Sequence, residues 1–328
     1  MEKEKNNPEC GIRPGLPTGA RLVHAGPQGP ISVSFCVSDS FVQHLAVVLA
    51  SLAANNPDDP FVFHILHRDI TPAHQRLLTD WHGGRDDITV VFHPVDAALF
   101  ADFPIPPELE HVTQEMYYRF LLPTLLPDET RTIYSDVDVC CVGNIRPLWE
   151  TDLGDNVLAA VSEGAAGEFK KKLIGLEGPA PYFYSGLLVM DLAQMRREDA
   201  VSRLFATTAA YAQRIAWPDQ DVLNIVFRNR ILPLGPAWDG INVRYSPYNK
   251  EVRIWHFPGA LMKPWCNIWK NRTWPLYLKY LRRTPFRDRA AAFVWGHIKG
   301  FFWFTYTKKR VRRTLCCGVL VHKKKMKG

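Results

Sequence analysis

Between Ile31 and Val142 short apolar runs alternate with stretches whose apolar residues recur at helical spacing, and this alternation constrains the fold more than any other feature. "ISVSFCV" (31–37), "FVFHIL" (61–66) and "ITVVFH" (88–93) read as strands. "DSFVQHLAVVLASLAANNP" (39–57) reads as a helix that stops at Asn55-Asn56-Pro57, and Thr71-Pro72 opens a second helix. "VTQEMYYRFLLPTLLP" (112–127) is helical in part and is expected to break at Pro123. Such an order predicts an α/β fold with a mostly parallel central sheet and helices on both faces. Ligands of such sheets bind beyond the carboxyl ends of the strands. No GxGxxG follows the first strand and there is no Walker A loop, which argues against a dinucleotide dehydrogenase or a P-loop enzyme.

One apolar run breaks the pattern. "IYSDVDVCCVGNI" (133–145) reads as a strand covered on both faces, yet Asp136 and Asp138 sit inside it. On one strand their side chains would point the same way. At roughly 5% Asp, about one Asp-x-Asp is expected by chance in a chain of this length. The chemical alternative is a cation: two same-side carboxylates repel unless one lies between them, and hard divalent cations prefer oxygen.

Beyond residue 150 the alternation loosens. "NVLAAV" (156–161) and "PYFYSGLLVMDL" (181–192) are strand-like, and a helix is expected over about 193–214. "WPDQDVLNIVF" (217–227) opens with Pro218 and acids, as a short helix does, and "VRIWHFPG" (252–259) reads as a last strand.

Charge divides the chain. From Arg282 to Gly328 there are fourteen Lys/Arg and one acid, Asp288, leaving 26 Lys/Arg against 32 Asp/Glu elsewhere. The body is mildly acidic and the tail, residues 282–328, strongly basic. The tail holds "FVWGHIKGFFWFTY" (293–306), whose mix of aromatics and bases suits a helix lying on an anionic membrane surface. Packing of those aromatics on the body, or nucleic-acid binding, are the other readings; the acidic body and the lack of a recognition motif argue against nucleic acid. No run reaches the ~18 uninterrupted apolar residues of a membrane span. Residues 1–30 are rich in Pro and Gly, lack an apolar signal core, and read as a disordered leader. Seven cysteines without a CxxC read as reduced thiols of a cytosolic protein.

Four segments taken in order carry a resemblance: "TQEMYYRFLLPTLLP"; "IYSDVDVCCVGNIRPLWETDLGDNVLAAV"; "YFYSGLLVMDLAQMRR" with "DQDVLNIVF"; and "IWHFPGALMKPW". Together, over about Ile31 to Trp265, they resemble the family-eight retaining glycosyltransferases, especially the bacterial enzymes that add galactose or glucose to lipopolysaccharide and lipo-oligosaccharide. The resemblance implies a single GT-A domain over 31–281, a UDP-galactose or UDP-glucose donor, and Mn²⁺, with Mg²⁺ as the other candidate. It makes Asp136, Asp138 and His256 the metal ligands. Lys263 becomes the lysine beside the leaving diphosphate, and Arg119, Asp39 and Gly259 become donor contacts. Asp219 is then expected on the donor-sugar hydroxyls, with Gln220 near the anomeric carbon. An amide is a poor nucleophile, so the resemblance leaves front-face internal return and double displacement both open. For Arg119 a helix-surface ion pair, and for Asp219 and Asp221 first-turn dipole stabilisation, are the plainer roles.

Three departures stand out. The first strand of the family usually ends in two acids followed by Asn; here the residues are Ser38-Asp39-Ser40. Tyr184 in "YFYSG" stands where the family usually has Asn. The spacing from His256 to Lys263 is one residue longer than the usual pattern. The expectation is a metal-dependent retaining hexosyltransferase, peripheral on the inner face of the cytoplasmic membrane, acting on a lipid-linked oligosaccharide. A non-catalytic nucleotide-sugar-binding protein, or transfer to a protein or soluble glycan, are the alternatives.

Overall fold

A computed structural model describes residues 29–81, 84–107, 113–241, 250–259, 263–265 and 273–296, with 315–316 and 319–320. The expected leader up to residue 28, and the tail beyond 296 apart from those four residues, lie outside the described residues.

The main sheet has seven strands in the order β3-β2-β1-β4-β7-β6-β8. They are β1 (Ile31–Cys36), β2 (Phe61–His67), β3 (Ile88–Pro94), β4 (Arg131–Ser135), β6 (Leu158–Val161), β7 (Leu187–Asp191) and β8 (Ile231–Leu234). β1 pairs in parallel with β2 on one side and β4 on the other, Val33 lying opposite Ile133. Chain progression therefore reverses between β1 and β4, and a crevice opens beyond their carboxyl ends. β7 runs antiparallel to both β4 and β6. A second sheet, β5-β10-β9, consists of β5 (Val139–Cys141), β9 (Gly240–Ile241) and β10 (Ile254–His256).

Helices cover both faces. The larger ones are α1 (Val42–Asn55), α2 (Pro72–Asp80), α5 (Ala165–Leu173), α7 (Ala200–Tyr211), α8 (Pro218–Val226) and α9 (Trp274–Leu281). The shorter ones are α3 (Leu122–Leu125), α4 (Arg146–Trp149) and α6 (Leu192–Arg197). β7 shows why there are two cores. Leu187 and Val189 pack with α1, α9 and the second sheet, while Leu188 and Met190 pack with Tyr117, Leu204 and Leu223 on the other face. Successive strand residues point to opposite faces, so a continuous apolar run fills both.

The structure corrects several expectations. Residues 133–145 are not one strand. The chain leaves the main sheet after Ser135, turns through Asp136-Val137-Asp138, and enters the second sheet at Val139. The Asp136 N–H donates to Gly186 O at 2.8 Å as a last rung, and Phe257 N–H donates to Asp138 O at 2.9 Å. The corner spares both carboxylates from a strand interior, where charge is costly to bury. Pro123 does not break a helix: a 3-10 segment, Gln114–Leu121, leads into α3, where Pro123 occupies the first turn and its missing N–H is not needed. The helix expected over 193–214 is two helices, parted at Asp199 in the left-handed region (φ +48°). β8 escaped notice because Pro233 interrupts it; at the sheet edge a proline is tolerated.

Candidate active site

The crevice beyond β1 and β4 is a cavity of about 450 Å³. Asp136 and Asp138 enter it from the corner between the two sheets, and His256 from the end of β10. One ligand atom of each lies within 4.8 Å of the others. His256 Nε2 is 3.9 Å from Asp136 Oδ2 and 3.4 Å from Asp138 Oδ1. Two carboxylate oxygens and one imidazole nitrogen, converging from two sheets, are a donor set that fits a divalent cation.

The surroundings support that fit. The other ring nitrogen, His256 Nδ1, lies 2.9 Å from Asp239 Oδ1, just before β9. A carboxylate behind an imidazole fixes its tautomer and aims Nε2 forward. Burial opposes charge on His256, but the carboxylates of Asp239 and Asp138 outweigh it and hold the imidazole well above its ordinary pKa. Asp138 is also gripped by Lys263. Burial would raise its carboxyl, yet Lys263 and His256 hold it below the usual range. Asp136 behaves oppositely: burial lifts its carboxyl, and Arg119 only partly opposes this. Nothing in the sequence singles out Asp239, which reaches His256 only through the pairing of a two-residue strand with β10.

Gly186 forms one wall. A Cβ there would stand 2.3 Å from His256 Cε1 and 3.0 Å from Asp136 Oδ2. Gly186→Ala is therefore expected to displace the imidazole and to weaken any divalent-cation binding by this cluster by about tenfold or more, as measured by titration calorimetry on the folded variant.

Arg119 lies across the floor of the cavity and is buried. Its Nε donates to Met116 O at 2.8 Å, Nη1 to Ser185 O at 2.6 Å, and Nη2 to Asp136 Oδ1 at 3.0 Å. Nη1 also pairs with Asp219 Oδ2 at 2.9 Å, and the guanidinium stacks on Tyr134 at 3.9 Å. It is no surface ion pair. It ties the 3-10 segment, the Asp136 corner, the approach to β7 and the start of α8 into one unit.

Gln220 is held as firmly. Its Oε1 accepts from Ser185 N–H at 3.2 Å, and its Nε2 donates to Glu163 Oε1 at 2.8 Å and Tyr182 Oη at 3.2 Å. Asp221 is committed to the start of α8, accepting from Ala216 N–H and Trp217 N–H at 2.8 Å each and from the Tyr182 hydroxyl. Glu163 also pairs with Lys170 at 2.6 Å, and the ammonium lies 4.2 Å above the Trp217 ring and 5.9 Å from that of Tyr184. Burial and then Glu163 push the Tyr184 phenol up to about 12. Neither Glu163 nor Lys170 carries a sequence signal beyond its charge.

Gly259, with φ +74°, and Lys263 line the cavity. Asp39 does not. Its carboxylate turns onto α2, accepting from Thr71 N–H at 2.9 Å and meeting His74 Nδ1 at 2.7 Å. Ser38 does line the cavity, its hydroxyl 3.0 Å from that of Ser40.

The chain is similar to known proteins in sequence and in fold. The sequence profile described as "Glycosyl transferase family 8" matches residues 32–268. General stress protein A of Bacillus subtilis is 24% identical over 269 residues, spanning 76% of this chain and 92% of its own length. Lipopolysaccharide 1,3-galactosyltransferase of Salmonella typhimurium is 24% identical over 249 residues, 71% of this chain and 72% of its own. Among solved structures, the galactosyltransferase LgtC in complex with donor and acceptor sugar analogs superposes with a TM-score of 0.68 at 25% identity, covering 78% of this chain and 96% of that one.

Proposed function

The chain belongs to glycosyl transferase family 8, and from that premise we propose that it moves galactose or glucose from a UDP-sugar to a lipopolysaccharide-core or related glycolipid acceptor, with Mn²⁺ and with retention at the anomeric carbon. The observation that carries the reading is the convergence of Asp136, Asp138 and His256 in the crevice at the β1–β4 reversal. These three residues would hold the ion. A bound divalent ion supplies positive charge where a diphosphate leaves. Lys263, now on Asp138, adds a second charge for the same oxygens. Asp219, oriented by Arg119, accepts hydrogen bonds from donor-sugar hydroxyls. Gln220 has its carbonyl oxygen on Ser185 N–H and its nitrogen on Glu163 and Tyr182. An amide so committed is placed to orient and shield the sugar rather than attack it, which favours front-face internal return.

The glycolipid acceptor is supported by the similarity to the lipopolysaccharide 1,3-galactosyltransferase of Salmonella typhimurium, and transfer from a sugar donor to a sugar acceptor by the likeness to LgtC. Among the described residues no helix is long and apolar enough to cross a membrane. The basic, aromatic stretch beyond Arg282 supplies a peripheral anchor in this reading. Phe286 and Ala290 belong to the core and Phe293 packs against it, so the test removes only residues 297–328: this deletion is expected to lower binding to anionic liposomes, with strong salt dependence, and unchanged binding overturns the anchor.

Calorimetric titration with UDP, UDP-galactose and UDP-glucose, with and without Mn²⁺, tests the donor. Product analysis by NMR of the new anomeric linkage tests retention. Metal-dependent binding with turnover to an α-linked product is the expected result. Binding without any turnover favours the non-catalytic alternative, and no binding of any UDP species overturns the reading.

A further inference from the structure

Glu115 has no part in the reading above, yet it lines the same cavity. It is 3% exposed. Among the described residues, neither carboxylate oxygen accepts a hydrogen bond. Arg68 Nε, on a half-exposed side chain, lies 3.0 Å from Oε1 and supplies counter-charge only. A buried carboxylate whose hydrogen-bonding capacity is unused calls for a ligand or another partner.

Its position narrows the ligand. Glu115 is in the first turn of the 3-10 segment that carries Arg119. Four residues at about 2.0 Å each put it roughly 8 Å along the segment from the arginine that grips Asp136. The segment packs against β1 and β2. The β1 end of the cavity, with Cys36, Val37, Ser38 and Phe41, shares this region. It presents no other carboxylate there: Ser38 bonds Ser40, and Asp39 is turned onto Thr71 and His74. The Phe41 ring offers a stacking face.

We propose that Glu115 reads the base of the nucleotide donor by accepting a hydrogen bond from a ring imino N–H, as uracil or guanine presents. The inference rests on the nucleotide-sugar reading of this cavity. Cytosine and adenine carry a lone pair at the equivalent ring nitrogen, which a carboxylate repels. The second carboxylate oxygen would also accept the exocyclic amino group of guanine, whereas uracil offers a single N–H between two carbonyls.

The test is titration of wild type and Glu115→Gln with UDP, GDP, CDP and ADP in the presence of Mn²⁺. Wild type is expected to favour UDP or GDP over CDP by about 30-fold or more, since a buried acceptor left without its donor is strongly unfavourable. Glutamine both donates and accepts, so in Glu115→Gln the preference is expected to shrink to within about threefold. A purely structural change lowers both affinities together and leaves their ratio intact. Glu115→Asp, which keeps the acceptor, is expected to retain the preference and serves if Glu115→Gln fails to fold. The UDP and GDP arms identify the base. Nucleotide binding with the same UDP-to-CDP ratio in wild type and Glu115→Gln, or a Glu115→Asp that loses the preference, overturns the inference alone. No binding of any nucleoside diphosphate to wild type removes the donor reading and the inference with it.

Discussion

Asp138→Asn is expected to abolish metal-dependent UDP binding and to lower sugar transfer by about 10³-fold or more. The substitution is nearly isosteric, so the corner between the two sheets should fold as before. What changes is charge. Asp138 faces His256 Nε2 at 3.4 Å and Lys263 on its other oxygen. An amide leaves that lysine without its carboxylate and offers a cation a weaker ligand. Calorimetry with Mn²⁺ and UDP, beside circular dichroism to verify the fold, reads both parts. A folded variant that still binds UDP in a metal-dependent way at wild-type affinity would show that the ion is held elsewhere.

Arg119→Met is expected to lower stability by about 3–5 kcal/mol, because removing one partner of a buried ion pair leaves uncompensated charge. Here the guanidinium serves two carboxylates and two carbonyl oxygens. Asp136 already feels burial more than it feels Arg119, so loss of the arginine drives its carboxyl further toward the neutral form and weakens it as a ligand. The thermal midpoint should fall by roughly 10 °C. Arg119→Lys should recover only part of the loss, since one ammonium cannot reach four acceptors spread around a planar fork. Urea unfolding of the three proteins measures this. A loss below about 1 kcal/mol in Arg119→Met would mean that the surrounding carboxylates are satisfied without it.

Much of this architecture is readable in the residues, and the failures share a cause. The parallel strands are long, apolar and rich in Val, Ile and Phe, so β1, β2 and β3 announce themselves. The helices that begin at Thr71-Pro72 and Trp217-Pro218 carry their own start signals. The meeting of Asp136, Asp138 and His256 was legible only through the ordered resemblance, because the strand reading of Asp-x-Asp had the wrong local geometry. Short non-local elements were invisible. β9 is two residues long, too short for any periodicity, yet its pairing with β10, which lies within the strand expected over 252–259, sets Asp239 behind His256. Glu163 reaches Gln220 across 57 positions, and Glu115 looks from sequence like any acid in a first turn. Asp39 matched a pattern by position, and its side chain was drawn instead to the open end of α2, where Thr71 N–H and His74 needed an acceptor.

The antiparallel course of β7 has a further consequence. In an all-parallel sheet every strand delivers its following loop to the ligand edge. Because β7 runs the other way, it is the preceding segment, Tyr182 to Gly186, that arrives there, with Gly186 O accepting from Asp136 N–H. If the cavity takes a sugar donor, as proposed, selectivity can diverge in a stretch that ends where the strand begins, between α5 and β7, while the strand itself continues to hold both cores. Tyr184 lies in that stretch. On the proposed reading, substitution at Tyr184 is a route to new sugar preferences that leaves Asp136, Asp138, His256 and the sheet register untouched.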